Sequence, residues 1–389
     1  MEDMVNRQKK AAERVVRAAT ATGNRRGTGR ADENPLAEDL DHVLDHTRDL
    51  WEELRGGRIF ITGGTGFFGC WLLESLLRAN KELGLNAKAV VLTRDPGRFV
   101  KKAPHLAGNP AVRLLAGDVR TFRFPRGSFS HAIHAAVEAD DAVCAGSPLE
   151  EMDVTVLGTR RVLDFARQAG LGKLLFTSTG AVYGRQPPDM ARISEDFSGA
   201  PDPVDFQSRY AIAGEAKRAA ESMCVLAARQ FGLEVKIARC FSFIGPGLPL
   251  DSKFAAGNFL RDALAGGPIV INGDGTAVRS YLYAGDMAVW LWTILFRGVS
   301  GRPYNVGSEE EITIRDLAKA VGNCFDPPVT VRVMKRRRSG EPLERYIPST
   351  ARARIELGLS AMGDLPRGIL KMKRWAAAVN KCNNRIIKK

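Results

Sequence analysis

The stretch Ile59-Phe60-Ile61-Thr62-Gly63-Gly64-Thr65-Gly66-Phe67-Phe68-Gly69 constrains this chain more than any other. It combines a short apolar strand, a glycine turn and the start of a helix that continues through Trp71–Leu77. In such a turn the first glycine allows the tight bend. The second lets the backbone approach a pyrophosphate, and the third lets the helix pack on the strand. The helix N-terminus then presents free N–H groups and a positive dipole end to the phosphates. Gly63, Thr65, Gly66, Phe67, Phe68 and Gly69 are therefore expected to cradle a dinucleotide. A glycine triplet alone is a weak signal, but here a strand precedes it and a helix follows it, as the motif requires.

The following segments repeat that alternation. Strands are expected at Ala87–Thr93, Val112–Leu115, Ala132–His134 and Lys173–Ser178, with a helix over Pro148–Gln168. Strands alternating with helices imply an α/β fold with a doubly wound parallel sheet. In NAD-binding sheets an acidic residue about 20 positions beyond the glycines grips the ribose. Here Thr93 stands at that point and Arg94 follows, which favours the extra phosphate of NADP over NAD. Asp118, in Gly117-Asp118-Val119, is placed to accept a hydrogen bond from the adenine amino group, or else is a plain turn aspartate. Ala135 and Ala136 permit close approach to the cofactor, while His134 reads as a packed strand residue.

A chain of 389 residues with 44% hydrophobic content can build a main domain and a smaller lobe. Its six cysteines include no Cys-x-x-Cys pair, which argues against a zinc site or disulfide scaffold and fits a reducing cytoplasm. The apolar run Met287–Phe296 is too short to cross a bilayer and is expected to be a buried helix. Nothing near the N-terminus has the apolar character of a signal peptide. Residues 1–34 are expected to form a flexible basic extension and 35–56 a preceding helix. His42 and His46 fall at i,i+4 on that helix as an exposed pair, and no third metal ligand accompanies them.

The net charge of +13 is concentrated late in the chain. Residues 335–338 are all Lys or Arg, and from Arg367 onward there are eight Lys or Arg and no acid. The tail at 367–389 is expected to be solvated, with contact to an anionic membrane surface as the alternative. Aromatics are not interleaved with these charges, so nucleic acid is not an expected partner.

Several motifs in order resemble the extended short-chain dehydrogenase/reductase family, of the NAD-dependent nucleotide-sugar epimerase/dehydratase type. They are Thr62–Gly69, Gly117-Asp118-Val119, Thr177-Ser178-Thr179-Gly180-Ala181-Val182-Tyr183-Gly184, Gly214–Glu221, Gly273-Asp274-Gly275 with Arg279, and Tyr304-Asn305-Val306-Gly307. The resemblance covers about residues 58–360. It implies a Rossmann-type domain over 57–240, with parts of 270–310 returning to it, and a substrate lobe over 241–366. It further implies a nucleoside-diphosphate sugar as substrate and a homodimer.

The family's chemistry uses a hydroxyl, a tyrosine and a lysine, and the resemblance places the hydroxyl at Thr179 and the lysine at Lys217. Lys217 would also hold the cofactor ribose. The tyrosine departs from the pattern. Tyr-x-x-x-Lys puts both side chains on one helix face a turn apart, but four residues before Lys217 stands Ala213. The nearest candidate is Tyr210, in Ser208-Arg209-Tyr210, and it is expected to complete the catalytic group with Thr179 and Lys217. If the extra residues form a bulge or loop, Tyr210 reaches the sugar oxygen. If the helix runs straight, Tyr210 stands about 10.5 Å along the axis from Lys217 and cannot touch the same atoms. A second departure lies at Gly180 and Ala181, where family dehydratases carry two acids and decarboxylases keep a Glu. Without those carboxylates, hydride-only chemistry is expected: epimerisation or reduction of a keto sugar. On the substrate side the resemblance marks Ser242, the helix start at Asn258-Phe259, and Arg279 as a fork for diphosphate oxygens.

Overall fold

The computed structural model describes residues 34–136, 148–205, 209–252, 254–337, 340 and 343–387. Residues 1–33 of the expected basic extension, with Cys144, Ser208, Arg338, Lys388 and Lys389, lie outside them.

Helix α1 (Ala37–Thr47) and a tighter turn (Arg48–Leu54) precede β1 (Arg58–Thr62). There follow α2 (Phe67–Leu83), β2 (Lys88–Thr93), α3 (Pro96–Lys102), β3 (Val112–Ala116) and β4 (His131–His134). Next come α4 (Pro148–Ala169), β5 (Lys173–Thr179), α5 (Arg209–Phe231) and β6 (Glu234–Cys240). The later part holds β7 (Phe243–Ile244), α6 (Ala255–Leu264), β8 (Ile269–Ile271), β9 (Val278–Arg279), β10 (Leu282–Tyr283), α7 (Ala284–Arg297) and β11 (Pro303–Val306). It closes with β12 (Ile312–Thr313), α8 (Ile314–Gly322), β13 (Val331–Val333), β14 (Arg345–Tyr346) and α9 (Leu365–Ile387).

Seven strands form one sheet in the order β11-β6-β5-β4-β1-β2-β3, every pair parallel. The chain runs one way from β1 through β2 to β3 and the other way from β4 outward. A crevice therefore opens at the carboxyl ends of β1 and β4, where ligands bind in open sheets of this kind. β11, from the stretch expected to return, lies beside β6.

Both sheet faces are covered. On one, Phe60, Phe122, Phe165 and Phe176 pack with α4 and α5. On the other, Trp71, Trp290 and Trp292 pack with α1, α2 and α7. Helix α7 is apolar all round, which suits only a helix buried on every side, and every residue from Ala284 to Phe296 is buried. The short apolar run in the sequence is thus a core helix. Trp51 packs at a tilt against Trp292 with ring centroids 4.6 Å apart, so the segment before β1 belongs to this core.

A second core joins α6, α8 and β8 with Ile369, Met372 and Ala376 of α9. This corrects the expectation of a solvated basic tail, at least over its first turns. Apolar residues at 369, 372 and 376 follow helical spacing, and the surrounding lysines and arginines obscure that stripe in the sequence. Lys371 pairs with buried Asp39 of α1, whose other oxygen accepts from the Tyr283 hydroxyl at 2.8 Å. His42 is likewise not a free surface residue, since its Nε2 lies 3.0 Å from Asp286 of α7. Among the described residues no group of three metal-ligating side chains occurs, and no helix is long and apolar enough to cross a membrane.

Candidate active site

The glycine turn sits at the β1 end of the crevice. Gly63 has φ +70°, and a Cβ there would collide with the Ala135 carbonyl across the turn. A Cβ on Gly69 would collide with Gly63 and Gly64, so helix α2 can close on the strand only without one. Gly66 caps α2 without a side-chain hydrogen bond. First-turn N–H groups of a helix have no partner within it, and at Phe67 and Phe68 they suit an anion. A cradle that any larger residue would fill, under an uncapped helix end, fits a dinucleotide pyrophosphate. The phenyl rings themselves are packed away, Phe68 against Phe243 at 4.9 Å.

The surroundings complete this end of the site. Ala136 N–H donates to Thr62 Oγ1 at 3.2 Å, which holds the two alanines against the turn. His134 is sealed beneath, with Nδ1 2.7 Å from Thr62 Oγ1 and Nε2 3.0 Å from Thr159 Oγ1. Burial lowers its pKa to about 3, so it is the packed strand residue the sequence suggested. Thr93 is buried at the end of β2 and Arg94 stands exposed beside it. Sequence reasoning missed Lys102, whose Nζ donates to the Thr65 carbonyl at 2.8 Å and brings a cation to the turn.

Asp118 accepts from the backbone N–H of Arg120 at 2.8 Å and from its guanidinium at 2.9 and 2.8 Å. The guanidinium holds the Asp118 pKa below the usual carboxylate range, so the group is a charged acceptor. Both residues line a cleft of about 580 Å³ with Thr121 and Leu157. Val119 is buried against Gly158, where a Cβ would stand 2.8 Å from Val119 Cγ1.

At the end of β5, Thr179 Oγ1 accepts from the Ala181 N–H at 3.2 Å and so shapes the turn over Gly180–Tyr183. Lys217 reaches the same strand from α5. Its Nζ donates to the Thr177 carbonyl at 2.7 Å and lies 4.5 Å from the centre of the Phe176 ring. Burial lowers its pKa to about 8. Beneath it, Glu221 accepts from Ser178 Oγ at 2.5 Å and from Arg239, a network that the sequence did not reveal. Tyr183 is not exposed to a ligand: its hydroxyl donates to Asn305 Oδ1 at 2.8 Å, and burial raises its pKa to about 12.

The tyrosine question has a structural answer. Helix α5 is continuous from Arg209 to Phe231, with no bulge after Tyr210. Gly214 fits flush on the turn below, where a Cβ would stand 2.5 Å from the Ala181 carbonyl and 2.6 Å from Pro201. Seven residues of straight helix separate Tyr210 from Lys217 by about 10.5 Å along the axis. Tyr210 is also 65% exposed. The expectation that Tyr210 meets the same atoms as Lys217 is therefore corrected. The three extra residues lengthen the helix instead of looping out.

The substrate side is partly rearranged too. Arg279 donates to its neighbour's carbonyl, Val278 O, at 3.0 Å and pairs with Glu344, so a diphosphate would have to displace that carboxylate. Asn258 and Phe259 line a cleft of about 700 Å³ with Arg261 and Asn272. The Asn258 N–H, however, already donates to the Phe254 carbonyl at 3.0 Å, and the Phe259 side chain is buried. The N–H groups of this helix start that have no partner within the helix lie earlier, at 255–257, which corrects the expectation for Asn258-Phe259. Ser242 is half-buried, and its carbonyl accepts from Leu282. A further feature that sequence reasoning missed is Tyr346, whose hydroxyl stands 3.4 Å from Thr179 Oγ1. No pattern in the sequence marks it, because it reaches the site through the pairing of β14 with β9.

Comparison with known proteins agrees with this fold. The sequence model of the NAD-dependent epimerase/dehydratase family matches residues 59–307. The UDP-glucuronic acid decarboxylase 6 of Arabidopsis thaliana is 30% identical over 319 residues, covering 81% of this chain and 88% of that protein. Among solved structures, the dTDP-glucose 4,6-dehydratase of Streptomyces venezuelae, determined with NAD, superposes with a TM-score of 0.69 at 26% identity. That match covers 82% of this chain and 97% of the other. The UDP-glucuronic acid 4-epimerase of Bacillus cereus, in complex with NAD, shares the fold with a TM-score of 0.69 at 21% identity, covering 82% and 99%.

Proposed function

The chain belongs to the NAD-dependent epimerase/dehydratase family, and on that premise we propose that it moves hydride at a sugar carbon of a nucleoside-diphosphate sugar, as an epimerase or a keto-sugar reductase. One observation carries this reading. The strand end keeps Thr179 and, through α5, Lys217, but Gly180 and Ala181 offer no carboxylate for elimination or decarboxylation. When bound, the nicotinamide supplies the hydride acceptor or donor. Thr179 holds the sugar oxygen by hydrogen bond. Lys217 holds the ribose and places positive charge under the reacting oxygen. Arg279 takes the diphosphate once Glu344 yields.

The test is incubation of the full chain with NAD⁺ and UDP-glucuronic acid, UDP-glucose or dTDP-glucose, with products resolved by mass and NMR. The expected product is an epimer of unchanged mass, or an alcohol when a keto sugar and reduced cofactor are supplied. A product lighter by carbon dioxide or water would overturn the reading. A second reading is favoured by the straight α5 with Ala213 in the family's tyrosine position: a protein that binds cofactor and nucleotide sugar without turnover. Tight binding with no product on that panel would establish it.

We also propose NADP as the preferred cofactor, supported by Arg94 after β2 and by Lys102 at the turn. Arg94→Ala is expected to weaken NADP about tenfold relative to NAD, the loss of one charge-assisted phosphate contact. Equal weakening of both, measured by calorimetry, would remove the preference. A homodimer through α4 and α5 is supported by exposed Leu157, Leu226 and Phe231 on these helices. A monomeric mass in solution would exclude it.

A further inference from the structure

Ala213 occupies the position one turn before Lys217 and leaves α5 without a phenol there. Another phenol stands at the site. Tyr346 comes from β14, which runs parallel to β9 with Tyr346 opposite Arg279. Its hydroxyl lies 3.4 Å from Thr179 Oγ1, and its ring rests on Phe241 with centroids 4.6 Å apart. Tyr210 flanks the same ring edge-on at 6.3 Å. The room for this hydroxyl exists because residue 180 is glycine: a Cβ there would stand 2.6 Å from Tyr346 Oη and 2.7 Å from the Phe241 ring. The missing acid at 180 and the position of Tyr346 are thus one arrangement.

We propose that Tyr346, delivered from the C-terminal lobe, exchanges the proton with the sugar oxygen held at Thr179, the task a tyrosine on α5 would otherwise perform. The inference rests on the hydride-transfer reading above. In the reductive direction the carbonyl carbon gains a C–H bond with hydride from reduced nicotinamide. The carbonyl oxygen gains an O–H bond as the Tyr346 O–H breaks. The phenolate left behind takes its proton back from water. In the oxidative direction the same bonds form and break in reverse. The groups facing Tyr346 are Thr179, Tyr210, Arg279 and Cys240. Burial raises the Tyr346 pKa, so the resting phenol is neutral and ready to donate, while the Arg279 guanidinium, 6.0 Å from the ring centre, stabilises the phenolate.

The experiment compares wild type, Tyr346→Phe and Tyr210→Phe as full chains. The reaction is reduction of dTDP-4-keto-6-deoxyglucose by reduced nicotinamide cofactor. Cofactor affinity is read separately from nicotinamide fluorescence on binding. Tyr346→Phe should lower kcat about a hundredfold or more, the usual contribution of a positioned acid. Its cofactor Kd should stay within about twofold, and Tyr210→Phe should keep kcat within about threefold. Phenylalanine preserves the packing on Phe241, so loss of the fold is not the anticipated result. Unchanged kcat in Tyr346→Phe, or a rise in KM alone, would overturn the proposal while leaving the hydride-transfer reading intact. A wild type that binds cofactor but transfers no hydride to this keto sugar, or from UDP-glucuronic acid or UDP-glucose, would sink the functional reading and this inference with it.

Discussion

Replacing Lys217 by methionine is expected to lower hydride transfer about a thousandfold and, at neutral pH, to stabilise the fold. The two effects have one cause. The ammonium is buried and donates to the Thr177 carbonyl, and among the described residues no carboxylate forms an ion pair with it. Burial lowers its pKa from 10.5 to about 8. A folded-state pKa below the unfolded one means the folded chain binds the proton less tightly. The penalty is complete below pH 8 and fades as pH rises from about 8 to 10.5. A shift of this size is worth about 3 kcal/mol. Methionine fills the same space without charge, so a gain of about 2 kcal/mol remains after the lost contacts with Thr177 and Phe176. Denaturant melts at neutral pH check the gain, and it should shrink toward pH 10. Catalysis needs the charged form, so wild-type turnover should fall above pH about 8. A variant that is both inactive and less stable would show that Lys217 is a structural element.

Gly69→Val is expected to abolish cofactor binding, weakening it a hundredfold or more, and to cost about 3 kcal/mol of stability. The new side chain would be driven into the backbone of Gly63 and Gly64. Neither can yield, because Gly63 is wedged against the Ala135 carbonyl and Gly64 against Val91. Helix α2 must therefore move off the turn, and the N–H groups of Phe67 and Phe68 lose their aim. Calorimetric titration with cofactor, beside a melt in its absence, separates the two losses. Binding that survives a destabilised fold would mean that the helix end does not hold the phosphates.

These two residues also show what the sequence could disclose. Gly69 was legible because the turn's constraint is local: strand, turn and helix lie within a few residues of one another. Lys217 was legible by its neighbours along one helix. The position of Tyr210 was not, since the same letters allow a bulge or a longer helix. The choice is made by packing of Gly214 against Ala181 and Pro201, far away in sequence. Tyr346 was invisible for a related reason, because a two-residue strand carries no periodicity and its partner β9 lies in another segment. The α9 stripe was hidden differently, by charges that dominate composition while apolar residues at helical spacing decide where the helix docks.

The pairing of Lys371 with Asp39 joins residues 332 positions apart. Glu38 and Arg367 close beside it. A chain made from its N-terminus therefore has Asp39 waiting, without its lysine, until the 332 residues that follow it have been synthesised. The parallel sheet is already slow to assemble, because its contacts are distant in sequence. This clasp makes the closing of the α1 seam depend on α9, so chains that lack α9 are left with that seam open.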